Sequence, residues 1–339
     1  MVHAPARLKD VALLAGVSVK TVSNVVNDFP HVRPATRAKV QEALDQLGYR
    51  PNLTARSLRS GRTGMIALAV PALDAPYFSE LASQVVQAAS AQDWTVLVEE
   101  TGGDRTRERE AAAGLRGQLI DGVLLSPLAL RASDLAAAPG SGPPLVLLGE
   151  RLGSGPADHV AVDNEAASRE LVEHLIARGR TRIGVIGAQR PGLGHTARLR
   201  ITGYRAALAA AGLPHDPDLV VQVSEWRRQH GAAGARQLLA LPHRLDAIFC
   251  LNDLLAIGAV RALADAGVRV PEDVAVVGFD DIEEGRYAVP TLTTVAPDKP
   301  AIARHAVELL ARRLRAEPAG PTEEITVAHT LRIRESSGG

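Results

Sequence analysis

The sequence predicts an N-terminal all-α helix-turn-helix headpiece with a hinge helix, followed by an α/β body of two doubly wound parallel-sheet subdomains. Three observations carry that prediction. Two short amphipathic helices joined by a glycine turn open the chain. Positive charge is concentrated in the first 62 residues. From Met65 onward, short apolar runs alternate with helical stretches. A length of 339 residues leaves room for a small head and two domains of roughly 120–150 residues each. The expected division is a headpiece over 1–50, a hinge over 51–63 and a body over 64–339. Within the body, one subdomain takes about 64–160 and 293–325, the other about 161–292 and 326–339.

Leu8, Val11, Ala12 and Ala15 recur at helical spacing and give the first helix one apolar face. Gly16 ends it, because a residue without Cβ enters the left-handed region at little cost. Ser18 can cap a second helix over 19–26. Val22, Val25 and Val26 turn inward there, which leaves Val19, Lys20, Ser23 and Asn24 outward. In a helix-turn-helix the start of the second helix meets base edges. Val19 suits a thymine methyl, Lys20 a guanine edge, and Asn24 an adenine edge or a phosphate. A third helix follows over 34–47, with Pro34 in its first turn, Val40, Ala43, Leu44 and Leu47 as its buried stripe, and Gly48 closing it.

Residues 1–62 hold ten Lys/Arg and four Asp/Glu, a balance of +6. The whole chain has 38 of each sign, so the remainder carries −6. A basic head on an acidic body is expected when only the head meets phosphate. The bland alternative is a solvated helical module that binds nothing. After the third helix, Pro51 pushes Arg50 toward extended geometry. Asn52 can cap a short helix over 53–60, ended by Gly61, with Leu58 on its exposed apolar side. A helix of about eight residues is marginal alone in water and needs a partner.

The body reads as strands at MIALAV (65–70), TVLVEE (95–100), GVLLSP (122–127) and PLVLLG (144–149), with helices near 77–92 and 106–118. HVAVDN (159–164) precedes a helix over 165–178. A second sheet draws on RIGVIG (182–187), LVVQV (219–223), DAIFCL (246–251) and VAVVGF (274–279), with helices near 199–211, 231–241 and 254–266. TTVAP (293–297) leads into a helix over 301–315 that belongs back with the first domain, and ITVAHTLRIRES is a strand-like tail. Two such domains with crossing connections make a periplasmic-binding-protein-like body, with a cleft at the strand carboxyl ends.

Several classes are excluded or demoted. One cysteine, Cys250, rules out an intramolecular disulfide framework and any Cys-rich zinc site. No signal-peptide core and no run near ~20 apolar residues is present, so a cytoplasmic protein without a membrane partner is expected. No nucleophile elbow, P-loop, H-E-x-x-H or Cys–His nucleophile context is found, and no cofactor or metal is expected. An enzyme is therefore not expected. A plain solute-binding protein would need an export signal and no basic head.

The runs DVALLAGVSVKTVSNVVN, TRAKVQEALDQLGYRPN and ARSLRSGRTGMIALAVP resemble the LacI/GalR family of bacterial transcription regulators. The likeness continues to about Arg334. The resemblance implies a homodimer on a near-palindromic operator, with one headpiece per half-site. It implies a DNA-facing set of Ser18, Val19, Lys20, Thr21, Ser23, Asn24, Asn27, Tyr49, Asn52, Ala55, Arg56, Leu58 and Arg59. Leu58 looks like the leucine that wedges into the minor groove and kinks it; the alternative is an ordinary linker leucine. Ala55 would pack on the groove floor, with Arg56 and Arg59 near phosphates. Arg33 stands where a small capping residue often begins the third helix, and Glu150-Arg151 where many relatives show Asp-Arg.

The effector-binding set expected in the cleft is Asp74, Tyr77, Phe78, Thr196, Arg200, Trp226, Asn252 and Asp280. Asp74 sits where a ligand hydroxyl or amine can be read. Tyr77 and Phe78 either stack on a sugar ring or base, or pack the domain core. Thr196 and Arg200 lie in a segment resembling the family's loop with an inward arginine, suited to vicinal hydroxyls or a carboxylate. Trp226 matches a position where relatives place a ring against the effector. Asn252 and Asp280 end their strands and point into the cleft in this fold, while Asp253 and Asp281 are expected to cap the helices after them. Asp163-Asn164 is expected to fix the crossover, with a ligand role for Asp163 as the lesser reading, and His195 is a further candidate contact. The expected mechanism is a population shift in which an effector biases how the paired hinges meet. A carbohydrate inducer is the leading expectation. A corepressor-type response to a nucleoside or purine is the alternative.

Overall fold

The computed structural model describes residues 6–26, 29–49, 62–114, 119–136, 142–149, 157–190, 194–315 and 320–339. Its contacts divide the chain into two units, Met1–Thr63 and Gly64–Gly339. The hinge helix expected over 53–60 lies outside the described residues, as do Asn27 and Glu150-Arg151.

The first unit holds α1 (Leu8–Ala15), α2 (Val19–Val26) and α3 (Pro34–Gln46). Val11 and Ala12 of α1, Val22 and Val25 of α2, and Val40, Ala43 and Leu44 of α3 close one small core. The helical spacing of those residues is what lets three short helices share it. Leu47, expected in the buried stripe, is exposed instead. It is the C-cap of α3, one position past the last helical residue, so the 3.6-residue period no longer turns it inward.

The second unit contains two six-stranded sheets. Its strands are β1 (Met65–Val70), β2 (Thr95–Glu100), β3 (Gly122–Leu125), β4 (Leu145–Leu148), β5 (Asp158–Val162), β6 (Ile183–Ala188), β7 (Val220–Gln222), β8 (Ala247–Cys250), β9 (Ala275–Phe279), β10 (Thr293–Pro297), β11 (Glu324–Val327) and β12 (His329–Arg332). Its helices are α4 (Pro76–Ser90), α5 (Arg105–Ala112), α6 (Ala132–Ala136), α7 (Asn164–Ala177), α8 (His195–Ala210), α9 (Arg228–Leu239), α10 (Asp253–Asp265), α11 (Glu283–Arg286) and α12 (Lys299–Arg315).

The first sheet runs β2-β1-β3-β4-β5-β11, all parallel. The second runs β7-β6-β8-β9-β10-β12, parallel except for the β10–β12 pair. Helices α4 and α12 bury one face of the first sheet, and α5 packs on the other. That two-sided cover explains why β1, β3 and β4 are near-continuous apolar runs. Helices α7 to α10 bury the second sheet around Phe249, Phe279 and Tyr204.

The sequence-based division needs correction at three places. TTVAP was assigned with the first subdomain, but as β10 it pairs with β9 in the second sheet. The chain returns only at α12, whose Ile302, Val307 and Leu310 enter the first core. Likewise β5 belongs to the first sheet through Val162, and the strand-like tail splits, β11 joining the first sheet and β12 the second. Apolar runs alone do not say which sheet a strand joins; only pairing partners do. The chain thus crosses between the subdomains three times, after β5, after β10 and after β11. Helix α8 begins at His195, four residues before the expected start, so Thr196 lies in its first turn.

Candidate effector site and nucleic-acid interface

In the headpiece, Ser18 Oγ accepts from the backbone N–H of Thr21 at 3.1 Å, the cap expected of it, and lies 2.8 Å from Thr21 Oγ1. Burial of Val22 and Val25 fixes the rotation of α2. Val19 and Lys20 are therefore exposed, and Ser23 and Asn24 half-buried. Tyr49 is half-buried against the core, so its ring serves packing as well as the surface. Arg33 precedes α3 without a side-chain cap. Asn27, Asn52, Ala55, Arg56, Leu58 and Arg59 lie outside the described residues.

In the body, the carboxyl ends of the second sheet converge on Arg200, a buried residue of α8. Its Nε donates to Asn164 Oδ1 at 2.8 Å, and its Nη1 donates to the Leu251 carbonyl. Nη2 faces Asp280 Oδ1 at 3.8 Å. The guanidinium lies over the Phe279 ring at 3.4 Å and near the Trp226 ring at 5.3 Å. Asn164 is the first residue of α7, whose cap is Asp163, accepting from Ala166 N at 2.9 Å. The Asp163-Asn164 pair thus starts the helix and orients the arginine together.

Asp280 follows β9 with φ 118, and Asp281 has φ 48. Such backbone costs about 1–3 kcal/mol per residue and persists only where surroundings over-determine it. Asp253 is one such support. Its carboxylate accepts from Thr294 Oγ1 at 2.6 Å and from Ile282 N at 3.0 Å. A Cβ on Gly278 would come within 2.1 Å of Asp253 Oδ1, so only glycine admits this brace. Asp281 is a second support, accepting from Arg334 at 2.6 Å and Arg286 at 2.9 Å. Capping by Asp253 and Asp281 was expected and is not found. Asn252 caps α10, its Oδ1 accepting from Leu255 N at 2.9 Å, and α11 has no side-chain cap. Asn252 keeps its amide group near Trp226, donating to that residue's carbonyl at 3.5 Å.

Burial pushes the Asp280 carboxyl up to about 6, against the pull of Arg200 and Lys299. Burial, and then the nearby charge of Asp280, also lift Asp253 well above the carboxylate range. Burial raises Asp281 too, but Arg334 and Arg286 outweigh it and hold the group below its ordinary value. In the first subdomain, burial pushes the Tyr77 phenol up, the charge of Asp280 adding to it and that of Arg200 opposing it. Tyr77 and Phe78 pack edge to face at 5.2 Å and also lean on the first core.

Trp226 donates its indole N–H to the Gly187 carbonyl at 2.8 Å. The scaffold thus holds its polar edge, and the ring packs against the second core. Thr196 is half-buried, and His195 Nδ1 contacts Arg198 rather than standing alone. Both carboxylate oxygens of Asp74 are taken by Arg227, at 2.6 and 3.3 Å. That hydrogen bonding lowers the Asp74 carboxyl below its ordinary value.

Sequence reasoning missed Phe279, Arg227, Glu80 and Lys299. Lys299 donates to Glu80 of α4 and, at 3.2 Å, to the Asp281 carbonyl. Glu80 also accepts from Glu283 N at 3.1 Å. One signal was available: Lys299 is the sole lysine beyond the headpiece, in a chain that elsewhere uses arginine. Among the described residues, no group of three or more His, Cys, Asp or Glu side chains is placed to hold a metal ion. No helix among them is long and apolar enough to cross a membrane.

Comparison with known proteins matches residues 7–52 to bacterial regulatory proteins of the lacI family and residues 172–337 to a periplasmic binding protein-like domain. The HTH-type transcriptional regulator CelR of Thermobifida fusca is 35% identical over 338 residues, covering 97% of each chain. The ribose operon repressor of Escherichia coli K12 is 35% identical over 314 residues, 91% of this chain and 93% of that one. A CelR–cellobiose complex superposes with TM-score 0.72 at 34% identity, covering 98% and 99% of the two chains. The lac repressor dimer bound to operator and the anti-inducer ONPF superposes with TM-score 0.84 at 27% identity over the same shares. With near-full-length relatives of that identity, a helix-turn-helix head and two parallel-sheet subdomains, the chain belongs to the lacI family of bacterial regulatory proteins and is a DNA-binding transcriptional regulator.

Proposed function

We propose that this regulator is a repressor that binds a palindromic operator as a homodimer and is released by a small carbohydrate. The observation that carries the carbohydrate reading is Asp280. Its buried carboxylate faces Arg200 only at 3.8 Å, beyond hydrogen-bond length, and so can accept from the hydroxyls of a guest. Trp226 and Tyr77 supply ring faces for the apolar side of a sugar. Arg200 and Asn252 supply donors beside them, with Phe78 and Thr196 at the margin. Names of two relatives point the same way, since one is a ribose operon repressor and another was solved with cellobiose.

Operator recognition is assigned to Val19, Lys20, Ser23 and Asn24 on α2, with Ser18, Thr21, Asn27 and Tyr49 beside them. The hinge contributes Asn52, Ala55, Arg56, Leu58 and Arg59. Leu58→Ala weakens operator affinity without unfolding the body; unchanged affinity removes the wedge assignment. Homodimerisation is supported by exposed apolar side chains. Val86 of α4 and Leu97 and Val98 of β2, an edge strand of the first sheet, are exposed, as are Tyr287 and Val289 of the second subdomain. Sedimentation of a monomer at micromolar concentration would count against the dimer.

The deciding experiment is operator binding at fixed salt, using DNA upstream of the neighbouring genes and a panel of sugars and nucleosides. Release by one sugar supports the inducible repressor. Tightening by a nucleoside replaces it with a corepressor-type switch on the same site. No binding under any condition overturns the headpiece assignment.

A further inference from the structure

We propose that Asp74 and Arg227 form a clasp across the mouth of the cleft that limits the effector to a single ring. The clasp takes the place of the ligand contact that the position of Asp74 suggests, and its sugar specificity rests on the carbohydrate reading above. Asp74 lies between β1 and α4 in the first subdomain, and Arg227 precedes α9 in the second. Arg227 Nη1 donates to Asp74 Oδ2 at 2.6 Å and Nη2 to Oδ1 at 3.3 Å, a two-point grip. Glu225 steadies the same guanidinium, accepting from Nε at 2.8 Å.

Exposure places this pair outside the floor of the site. The Asp74 and Arg227 side chains are 63% and 46% exposed, whereas Asp280 and Arg200 are 11% and 7% exposed. Sequence neighbours complete the geometry. Trp226, beside Arg227, reaches inward to Arg200. Tyr77, three residues after Asp74, turns its ring to the Lys299 ammonium at 5.6 Å, which donates to the carbonyl of Asp281 beside Asp280. A ring seated between those aromatics and Asp280 lies under the clasp. A second ring attached on the solvent side meets it. Because both partners are largely solvated, the clasp is weak enough to open for entry. Lys299 and Glu80, both of the first subdomain, make a separate link to the second through the Asp281 carbonyl and the Glu283 N–H, so opening the clasp does not by itself part them.

The test uses the full-length chain with Trp94→Phe, which leaves Trp226 as the single tryptophan. Acrylamide quenching of Trp226 is compared among Asp74, Asp74→Asn and Asp74→Glu proteins. Asp74→Asn is expected to raise the quenching constant about twofold, and Asp74→Glu to return it toward the parent value. Calorimetric titration with D-ribose, D-glucose and cellobiose follows. The parent is expected to take one of the single sugars and reject cellobiose. Asp74→Asn is expected to bind cellobiose at least tenfold more tightly than the parent. Quenching unchanged by Asp74→Asn overturns the clasp, and so does a parent that binds cellobiose as tightly as any single sugar. Failure of every sugar on every protein overturns the carbohydrate reading instead, and quenching alone then decides the clasp.

Discussion

The guanidinium carbon of Arg200 lies 3.4 Å from the centre of the Phe279 ring. Phe279 is the last residue of β9, and Asp280 is the next residue of the chain. One strand end therefore supplies both the plane that orients the arginine and the carboxylate it faces. Asn164 and the Leu251 carbonyl fix the other edges of the fork, so the fold itself sets the arginine's orientation.

Arg200→Met removes a buried cation from these partners and leaves Asp280 facing an apolar side chain. A loss of about 3–5 kcal/mol is expected from breaking a buried pair. Urea denaturation of the body measures it. Arg200→Lys keeps the charge but not the planar fork, and should recover only part of the loss.

Asp280 makes stability depend on pH, and under the proposed function it makes effector affinity depend on pH in the opposite sense. Burial lifts its folded-state value to about 6, against about 3.9 for an unfolded aspartate. The folded state therefore holds this proton more tightly than the unfolded one. The associated stability is fully present below about pH 3.9 and is lost as pH rises through about 6. The stability of Asp280→Asn relative to the parent should rise by up to about 3 kcal/mol between pH 4 and pH 7.5. Thermal denaturation at the two pH values checks this. Effector affinity in the parent should fall as pH drops below about 6, by up to about tenfold per unit, because protonation removes the acceptor. Asp280→Asn should lose the effector response while keeping operator affinity.

Lys20→Ala should weaken operator binding by about 1–3 kcal/mol, the range for one base-reading contact. Binding to unrelated DNA should change much less. Anisotropy titrations of both DNAs at one salt concentration separate a base contact from a phosphate contact. Equal losses on both would make Lys20 a backbone contact.

Gly258→Ala should destabilise the body by about 1–3 kcal/mol, the usual cost of overpacking. A Cβ there would come within 1.9 Å of the Arg228 carbonyl oxygen on α9, and backbone cannot swing aside as a side chain can. A melting temperature unchanged from the parent would show that α9 and α10 can separate without loss.

The order of elements and the class of the fold were legible because the sequence repeats local patterns. MIALAV, TVLVEE and TTVAP are strands over the residues that their apolar runs mark. The valines of α2 set which face of that helix is buried before any partner is known. Arg200, Asp280 and Trp226 were legible as positions because strand ends and a family resemblance point to them.

What the chain did not disclose locally is what depends on partners far away in sequence. TTVAP joins the second sheet because β9 offers it an edge. Asn252, and not Asp253, caps α10 because Asp253 is drawn under the 280–282 turn by Thr294 and Ile282. Asp74 is held by Arg227 across 153 positions, and Lys299 reaches Glu80 across 219. Periodicity reports the face of an element, since the chain's own geometry sets it. Which charge meets which is decided only when elements far apart in sequence pack together, within one subdomain for Lys299 and Glu80 and between the two for Asp74 and Arg227, and there the tertiary structure alone had the answer.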